Sequence, residues 1–539
     1  MLLLLSALLA AAAAQDYRSP HADSLIYFEM KPVDLAASGS YSLLLHDIDR
    51  DGNNDLVLLS YAGTTAGESP GEVYWYRWVG VAADGTPQWA KRLVARKMHV
   101  VYASFLDVDG DGYDDMVFNS DFEVPPEDVA PQGSFWCALN PGPGNYDSEW
   151  ELVYIGRVVG NHRTAAADFD GDGFEETVAI PLFSPGDEPY YGPATIVLFE
   201  PPRPWSADGE WRNSTLSAGK FLNPHDVAVV PAADGKRHSI LISAHEGIYR
   251  LDITRDDDSG EYSAVATELH SFPVDDPSDD YARDVGFKPL PQDCEDNPDD
   301  LHGVTALTKN VKDISSLPYM ATIDYTNTTG ILPGQVWHGD QVSLYFPADG
   351  KTVVEPGLTR KVLEKRYSGG HTAVVFDFDS DGCADVVAGF REYPTAMVLY
   401  RCIPDEAAIG GVSFRKQILS ERGTNAIVLD DFDRDGFMDM ATVGFGGMSG
   451  EGGDPYVLTW LYRGDSIVSA TGTATDSSSC SDNDDSFSDT VMAAVISLVV
   501  ILAAAVATLS YLLYRSTVPG TKRHTLYESE NDLATNLLY

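Results

Sequence analysis

The sequence predicts an all-β protein, a seven-bladed β-propeller with calcium-binding loops, joined to one transmembrane α-helix. Three observations lead to this prediction. An Asp-rich motif of nine residues recurs along the chain, an aromatic-rich strand follows each repeat, and an uncharged apolar run of 24 residues lies near the C terminus. Repeats of this kind are typical of architectures in which no single unit can bury its faces alone.

The composition excludes one class of partner and allows a folded core. The 539 residues include 36 Lys and Arg against 82 Asp and Glu, which gives a formal net charge of −46. A protein that binds nucleic acid by neutralising phosphates needs a basic surface, so we expect no nucleic-acid partner. Because 44% of the residues are hydrophobic and 11% are aromatic, the chain can build a sizeable core.

The two ends of the chain predict a membrane protein that enters the secretory pathway. Residues 1–14 are apolar and end in alanines, which is typical of a signal peptide. Residues 490–514 are long enough to cross the ~30 Å hydrocarbon core as a transmembrane helix. An acidic, serine-rich stalk (471–489) precedes this helix, and the basic residues after it predict a cytoplasmic tail, 515–539. We therefore expect a type I single-pass protein of the plasma membrane or an internal membrane, with the propeller (15–470) extracellular or lumenal.

A secretory route has consequences for asparagines and cysteines. Asn213 and Asn327 stand in Asn-X-Ser/Thr sequences and are predicted glycosylation sites. The number of cysteines is odd, so at least one thiol is free or forms an intermolecular bond. Cys480, in the stalk, is the candidate for a disulfide-linked dimer, with a free thiol as an equal alternative. The cysteines are Cys137, Cys294, Cys383, Cys402 and Cys480.

Five segments share the pattern Asp-X-Asp-X-Asp-Gly-X-X-Asp, with Glu as the last residue in one of them. Alternate carboxylates around a glycine that permits a sharp turn converge on one point, and the carbonyl of position 7 adds another oxygen. Ca²⁺ accepts roughly six to eight such oxygens with flexible geometry, so we predict about five calcium sites. Positions 1, 3, 5, 7 and 9 of the loops are Asp47, Asp49, Asp51, Asn53 and Asp55; Asp107, Asp109, Asp111, Tyr113 and Asp115; Asp168, Asp170, Asp172, Phe174 and Glu176; Asp377, Asp379, Asp381, Cys383 and Asp385; and Asp431, Asp433, Asp435, Phe437 and Asp439.

The residues that follow these loops exclude an EF-hand. An EF-hand needs flanking helices and a bidentate Glu at position 12. The apolar residues that follow here are typical of strands instead. A solvated acidic turn explains one such motif, but not five copies that each precede a strand. Position 12 is occupied by Leu58, Phe118, Ala179, Ala388 and Thr442.

Two further repeats have lost the acidic pattern, one at residues 231–239 and one that begins near His302. The seven repeats are spaced by 54 to 77 residues, and an aromatic-rich strand follows each of them. Strand, loop, strand, aromatic strand and outer strand make a four-stranded blade, and radial repetition of such blades gives a propeller. Residues 24–30 are expected to complete the last blade. An open tandem array is the alternative.

The acidic loops and the strands after them resemble the FG-GAP/VCBS repeats of integrin α-chain propellers and related cell-surface proteins. This resemblance implies calcium-bound loops. A narrower resemblance is to the propeller domain of aldos-2-ulose dehydratase, and it implies metal-dependent elimination of water from a sugar-derived dicarbonyl. It is carried by His162-Arg-Thr-Ala, His245-Glu-Gly-Ile, Trp337-His338-Gly-Asp-Gln-Val, and His371-Thr-Ala followed by Ala388-Gly-Phe-Arg391.

Histidine recurs at one position of the repeat, six residues before each repeat start. Four of these seven residues are His, where random placement predicts about 0.16. Equivalent positions on innermost strands line the central channel, where imidazoles can bind a zinc-like ion or act as general acid and base. An equally weighted alternative is that they are packing residues. The candidate catalytic residues are His162, His225, His302 and His371, and the other three positions are Tyr41, Val101 and Asn425.

Two functions fit these observations. The first is a cell-surface recognition or adhesion protein whose calcium-stabilised propeller binds a protein or glycan ligand on the extracellular side. The alternative is a membrane-tethered, metal-dependent carbon–oxygen lyase that acts on a carbohydrate-derived substrate. Residues 463–466 spell Arg-Gly-Asp-Ser, which contains a tripeptide that integrins recognise, but its strand context favours coincidence.

Overall fold

The computed structural model describes residues 25–61, 71–122, 133–182, 193–232, 235–271, 301–308, 314–326, 339–391, 396–445 and 455–466. All of them belong to the first of two units into which the chain divides, Met1–Ser469. The predicted signal peptide, stalk, transmembrane helix and tail lie outside the described residues, as do Cys294, Asn327, Trp337, His338 and Cys480. Within the described ranges, no helix has the length and apolar character needed to span a bilayer.

The described residues form an all-β structure with two short 3₁₀ helices, Ile314–Ser316 and Ile409–Gly411. In chain order, the strands are β1 (Leu25–Asp34), β2 (Ser40–His46), β3 (Asp55–Ser60), β4 (Gly71–Val81), β5 (Pro87–Lys97), β6 (Ala103–Leu106), β7 (Asp115–Ser120), β8 (Ser134–Leu139), β9 (Glu151–Gly156), β10 (Asn161–Ala167), β11 (Glu176–Pro181), β12 (Ala194–Glu200), β13 (Arg212–Phe221), β14 (Asp226–Pro231), β15 (His238–Ala244), β16 (Gly247–Arg255), β17 (Tyr262–Ser271), β18 (Leu301–Ala306), β19 (Met320–Thr326), β20 (Gly339–Phe346), β21 (Thr359–Phe376), β22 (Asp385–Phe390), β23 (Ala396–Pro404), β24 (Val412–Ser420), β25 (Ala426–Asp430), β26 (Asp439–Val443) and β27 (Val457–Ser466).

These strands form the seven blades of a propeller, and each blade has four antiparallel strands. Blades 1 to 4 are β2–β5, β6–β9, β10–β13 and β14–β17. Blade 7 consists of β25, β26 and β27, and β1 from the N-terminal end of the described chain adds its outer strand, with Leu25 opposite Ser466. This pairing confirms the predicted completion of the last blade. It closes the ring and excludes the open array.

Blades 5 and 6 share one long strand. The N-terminal part of β21 pairs with β20, and its C-terminal part pairs with β22, so the two blades form one continuous sheet. The sequence predicts two separate strands here, with the first at residues 358–366. Two glycines make the continuous course possible: Gly369 has φ +67°, and a Cβ on Gly370 would lie 2.6 Å from Cγ2 of Ile323.

The core lies between neighbouring blades. The second strands β3, β7, β11 and β22 are buried along their whole length, which explains why they are continuous apolar runs. Between blades 3 and 4, for example, Ile180 and Ile196 pack in one cluster with Ile240 and Ile242. Each such side chain contributes about 1.5–3 kcal/mol when fully buried. Packing between blades therefore holds the ring together.

Candidate metal sites and the axial histidines

The five acidic loops lie at one end of the propeller, in blades 1, 2, 3, 6 and 7. Each loop connects the innermost strand of its blade to the second strand. Because every blade repeats the same topology, all five loops open on one face, which we call the loop face. The positions six residues before each repeat start lie at the opposite ends of the innermost strands. At ~3.3 Å per residue, six residues place them about 20 Å from the acidic loops.

The aspartate at position 1 closes each loop onto the glycine at position 6. In all five loops its Oδ2 accepts a hydrogen bond from the glycine amide, at 2.9–3.0 Å. The five glycines have φ between +87° and +94°, a conformation that side chains disfavour. The predicted reason for a glycine at this position is therefore confirmed.

The carboxylates at positions 1, 3 and 9 come together in every loop. In each set of three, one ligand atom from each residue lies within 4.8 Å of the other two. Two oxygens that bind one Ca²⁺ at roughly 2.3–2.6 Å lie no more than about 5 Å apart, so this spacing fits a shared cation. The sets are Asp47, Asp49 and Asp55; Asp107, Asp109 and Asp115; Asp168, Asp170 and Glu176; Asp377, Asp379 and Asp385; and Asp431, Asp433 and Asp439.

The acid at position 9 also holds the blade together, a role that the motif alone does not indicate. Asp115 accepts one hydrogen bond from the Val108 amide of its own loop, at 3.0 Å, and one from the Asn140 amide beyond β8, at 2.7 Å. Asp55, Asp385 and Asp439 make the equivalent pairs of bonds. Burial raises the pKa of these four aspartates to about 7. A cation among the three carboxylates would favour their charged forms.

The aspartate at position 5 lies outside these sets of three. Its Oδ1 accepts a hydrogen bond from the amide of position 7, at 2.8–2.9 Å in all five loops. Ligation by the position 5 carboxylate and by the position 7 carbonyl stays a prediction. At position 7, Phe174 and Phe437 are exposed, whereas Cys383 forms a disulfide with Cys402 on β23. The sequence left the pairing of the cysteines open.

The donors present fit a hard cation such as Ca²⁺. All of them are oxygens, which hard cations prefer. The Asp49 side chain is only 4% exposed, and its Oδ1 has no hydrogen-bond partner among the described residues. A buried carboxylate oxygen without a partner is costly, and a bound cation would satisfy it. Within the described part of the chain, groups of this kind are confined to the five acidic loops.

At the opposite end of the innermost strands, three of the four predicted histidines meet at the propeller axis. The side chains of Tyr41, His162, His225 and His371, here called the axial ring, are each no more than 4% exposed. Ring centroids are 4.7 Å apart for His162 and His225, and 5.5 Å apart for His225 and His371. Tyr41 closes the ring at 5.7 Å from His371 and 6.5 Å from His162. His302 lies on β18, but its side chain is outside the described set.

Hydrogen bonds fix two of these imidazoles. The Tyr41 hydroxyl lies 3.2 Å from Nε2 of His162, and Nδ1 of His371 lies 2.8 Å from the backbone oxygen of Asn425. No described triad of ligand atoms within 4.8 Å includes the axial imidazoles. A small cavity of about 30 Å³ lies beside them, lined in part by Arg163 and His371. It has room for roughly one or two waters.

A buried ion pair lies next to the axial ring. Nε of Arg163, on β10, is 3.3 Å from Oδ1 of Asp226, on β14, and the side chains are 2% and 1% exposed. The other oxygen of Asp226 accepts the Leu307 amide at 3.0 Å. This pair joins blades 3 and 4. The repeat motifs do not indicate this pair, although both residues directly follow a histidine of the repeat, His162 and His225.

Three smaller predictions fall on described residues. Asn213 is exposed on β13, a placement compatible with glycosylation, which stays a prediction. Cys137 is buried and free. The Arg-Gly-Asp sequence lies within β27, where Asp465 pairs with Ile26 of β1. Because Arg463 is bound to carboxylates of this chain, the strand context accounts for the tripeptide.

Two family profiles match parts of the chain. Residues 135–273 match the β-propeller domain of aldos-2-ulose dehydratase, and residues 47–118 match an FG-GAP-like repeat. Both resemblances expected from the motifs are therefore confirmed. The first match includes His162, His225 and the Arg163–Asp226 pair, and the second includes the acidic loops of blades 1 and 2. No curated protein matches the chain significantly.

Solved structures with a similar fold include two crystal structures of BBS1N in complex with ARL6DN, one soaked with mercury and one with lead. The first has 10% sequence identity and a TM-score of 0.41, and covers 82% of this chain and 97% of the other. The second has 9% identity and a TM-score of 0.42, with 81% and 97% covered. Values this low carry no conclusion about function.

Proposed function

We propose that this protein is a cell-surface recognition or adhesion protein, in which a calcium-stabilised FG-GAP propeller binds a protein or glycan ligand. The observation that carries the proposal is the set of three carboxylates that recurs in five loops of one face. Bound calcium would neutralise buried acids that, in blades 1, 2, 6 and 7, also connect the loop to the end of the third strand. The loop face then becomes a rigid surface on which a ligand can bind with little loss of conformational entropy.

The cellular setting of this proposal comes from the sequence. An apolar leader at residues 1–14 and an uncharged run at 490–514 predict one membrane crossing, with the propeller outside the cytosol. Extracellular and lumenal calcium is abundant enough to occupy sites of modest affinity, roughly 10⁻⁴–10⁻³ M. A propeller with five such loops is therefore suited to that side of the membrane.

Metal analysis of the purified full chain tests the first part of this proposal. We expect about five equivalents of calcium and no transition metal after dialysis against buffered calcium. Loading with calcium should also be needed for binding to an array of glycans and of secreted proteins, because the loop face depends on the ion. A chain that holds no calcium, or that binds the same targets in excess EDTA, contradicts the proposal.

A second candidate function, a carbon–oxygen lyase, is favoured by one specific observation. Three imidazoles of the axial ring meet, and two of them, His162 and His225, lie within the residues that match the aldos-2-ulose dehydratase propeller. This function requires one equivalent of a transition metal and elimination of water from a sugar-derived dicarbonyl. His162→Ala and His371→Ala should abolish that reaction. If the protein is a recognition module instead, both variants keep ligand binding at the level of the wild type.

A further inference from the structure

Arginines form close ion pairs with the position 3 aspartate in three of the five acidic loops. In blades 1 and 6, the arginine directly precedes the residue whose amide binds the position 9 acid, and in blade 7 it directly follows that residue. The aspartates involved are 3–4% exposed. The pairs are Arg77 with Asp49, Arg401 with Asp379 at 2.5 Å, and Arg463 with Asp433 at 2.7 Å.

Two of these guanidinium groups also reach the position 5 aspartate of the same loop. Arg77 lies 3.4 Å from Asp51, and Arg463 lies 3.3 Å from Asp435. Each group therefore shares carboxylate oxygens with the place where a cation would bind. A dication in these loops has to be accommodated beside a fixed positive charge.

The loop of blade 2 differs from these three. Leu139 stands where blades 1 and 6 have arginine, directly before Asn140, whose amide binds Asp115. Among the described residues, no Lys or Arg side chain lies within ion-pair distance of the position 1, 3, 5 and 9 acids of this loop. The nearby Arg50 forms its ion pair with Asp114 and interacts with Asp107 and Asp111 only at longer range. In the described part of the chain, no guanidinium group therefore pairs with the oxygens that a cation would bind in the blade 2 loop.

The loop of blade 3 is intermediate. Nε of Arg255, from blade 4, lies 3.8 Å from Oδ2 of Asp170, which also accepts the Tyr262 hydroxyl at 2.9 Å. This contact is longer than those in blades 6 and 7. Position 9 of this loop is Glu176 rather than Asp.

We propose that the arginines grade the calcium affinities of the loops, so that the blade 2 loop binds Ca²⁺ at least about tenfold more tightly than the loops of blades 1, 6 and 7. A unit charge a few Å from a dication opposes binding by about this factor even at the dielectric constant of water. The inference rests on the proposed calcium binding. When calcium is scarce, one arginine offsets part of the negative charge in each of three loops, and blade 2 is the first site to fill.

Equilibrium dialysis of the full chain with radioactive calcium tests this grading. We expect one tight equivalent, followed by weaker ones. Asp109→Asn, at position 3 of blade 2, should abolish the tight equivalent, whereas the matched Asp49→Asn in blade 1 should leave it in place. Arg77→Gln should convert the blade 1 loop into a second tight site, and Arg77→Lys, which keeps the positive charge, should not.

The outcomes separate the two proposals. Loss of the tight equivalent in Asp49→Asn, or no gain of affinity in Arg77→Gln, overturns the grading while calcium binding stands. Absence of calcium binding at every concentration overturns the proposed function itself. Near-UV circular dichroism of each variant at saturating calcium shows whether it is folded. Leu139→Arg provides a second, independent measurement, since it should weaken the tight site about tenfold without removing any ligand.

Discussion

Blades 3 and 4 are neighbours that close the same turn in two different ways. In blade 3 the turn carries Asp168, Asp170 and Glu176, and burial raises the pKa of Glu176 to about 8. In blade 4 the turn is closed by the amide of Ala232, which donates to the Arg237 carbonyl at 2.9 Å. The first turn brings together three carboxylates that could hold a cation, whereas a backbone hydrogen bond closes the second.

The residue at position 9 explains the difference. Blade 4 has Ser239 there, whose hydroxyl donates to Asp252 at 2.8 Å, and Arg250 binds the same carboxylate at 2.9 Å. A neutral residue at position 9 creates no buried charge that needs a metal. The two turns also touch, because the His238 amide donates to the Asp168 carbonyl at 3.1 Å. A metal-free turn can therefore support an acidic loop beside it.

Chelation should produce the largest difference between the two blades. With excess EDTA, we expect the melting temperature of the full chain to fall by about 10 °C or more, because ions that bind only the folded state stabilise it. Hydrogen exchange followed by mass spectrometry should show faster exchange at residues 168–176 and little change at 231–239. An unchanged melting temperature, or equal deprotection of both turns, would contradict the contrast between the blades.

The ion pair that joins blades 3 and 4 near the axis should have the next largest effect. Arg163→Met removes the buried positive charge beside Asp226, so we expect a loss of about 3–5 kcal/mol in the free energy of unfolding. Combining it with Asp226→Leu should recover much of this loss, since no charge is then buried. Urea unfolding measures both variants. Arg212→Met is the control: it removes an exposed arginine from Glu200, which keeps Arg255 nearby, and should cost less than about 1 kcal/mol.

The sequence predicted the blades better than the contacts between them. Five copies of the acidic motif, two degenerate repeats and the aromatic strand that follows each of them predict the loops, the number of blades and the closing role of the first strand, β1. Each of these features recurs with the period of the repeat. The prediction of two strands in place of β21 failed because the continuity depends on close packing of Gly370 against Ile323, which no local pattern reveals.

Contacts at long sequence separation could not be read from the motifs. Arg163 and Asp226 are 63 residues apart, and Arg77 is 28 residues from Asp49, so only the fold brings these charges together. The same holds for the disulfide between Cys383 and Cys402, because cysteine connectivity cannot be deduced from spacing. The repeat placed the histidines on one register, but their mutual packing in the axial ring depends on the closed ring of blades.

Stability measured as a function of pH tests Glu246, which follows β15 of blade 4. Burial raises its pKa to about 7, and its carboxylate accepts the Leu222 amide at 3.0 Å. The folded state therefore binds more protons than the unfolded state between about pH 4.5 and 7, so this residue lowers stability as pH rises through that window. Glu246→Gln should equal the wild type near pH 4.5 and exceed it by about 1–3 kcal/mol at pH 8. If Glu246→Gln and the wild type had equal urea midpoints at both pH values, Glu246 could not be buried and uncharged in the folded state.

The smallest effect we predict distinguishes the two ways of closing the turn most directly. Asp252→Ala removes the acceptor of Ser239 and Arg250 in blade 4, and should cost about 1–2 kcal/mol whether or not calcium is present. Asp170→Ala removes a carboxylate of the blade 3 set, so its cost should be larger in calcium than in EDTA. Urea unfolding of both variants in both buffers gives four values. The two turns meet at Asp168 and His238, so an ion in blade 3 could also affect blade 4. If the cost of Asp252→Ala depended on calcium, the turn of blade 4 would be coupled to an ion, and the contrast with blade 3 would fail.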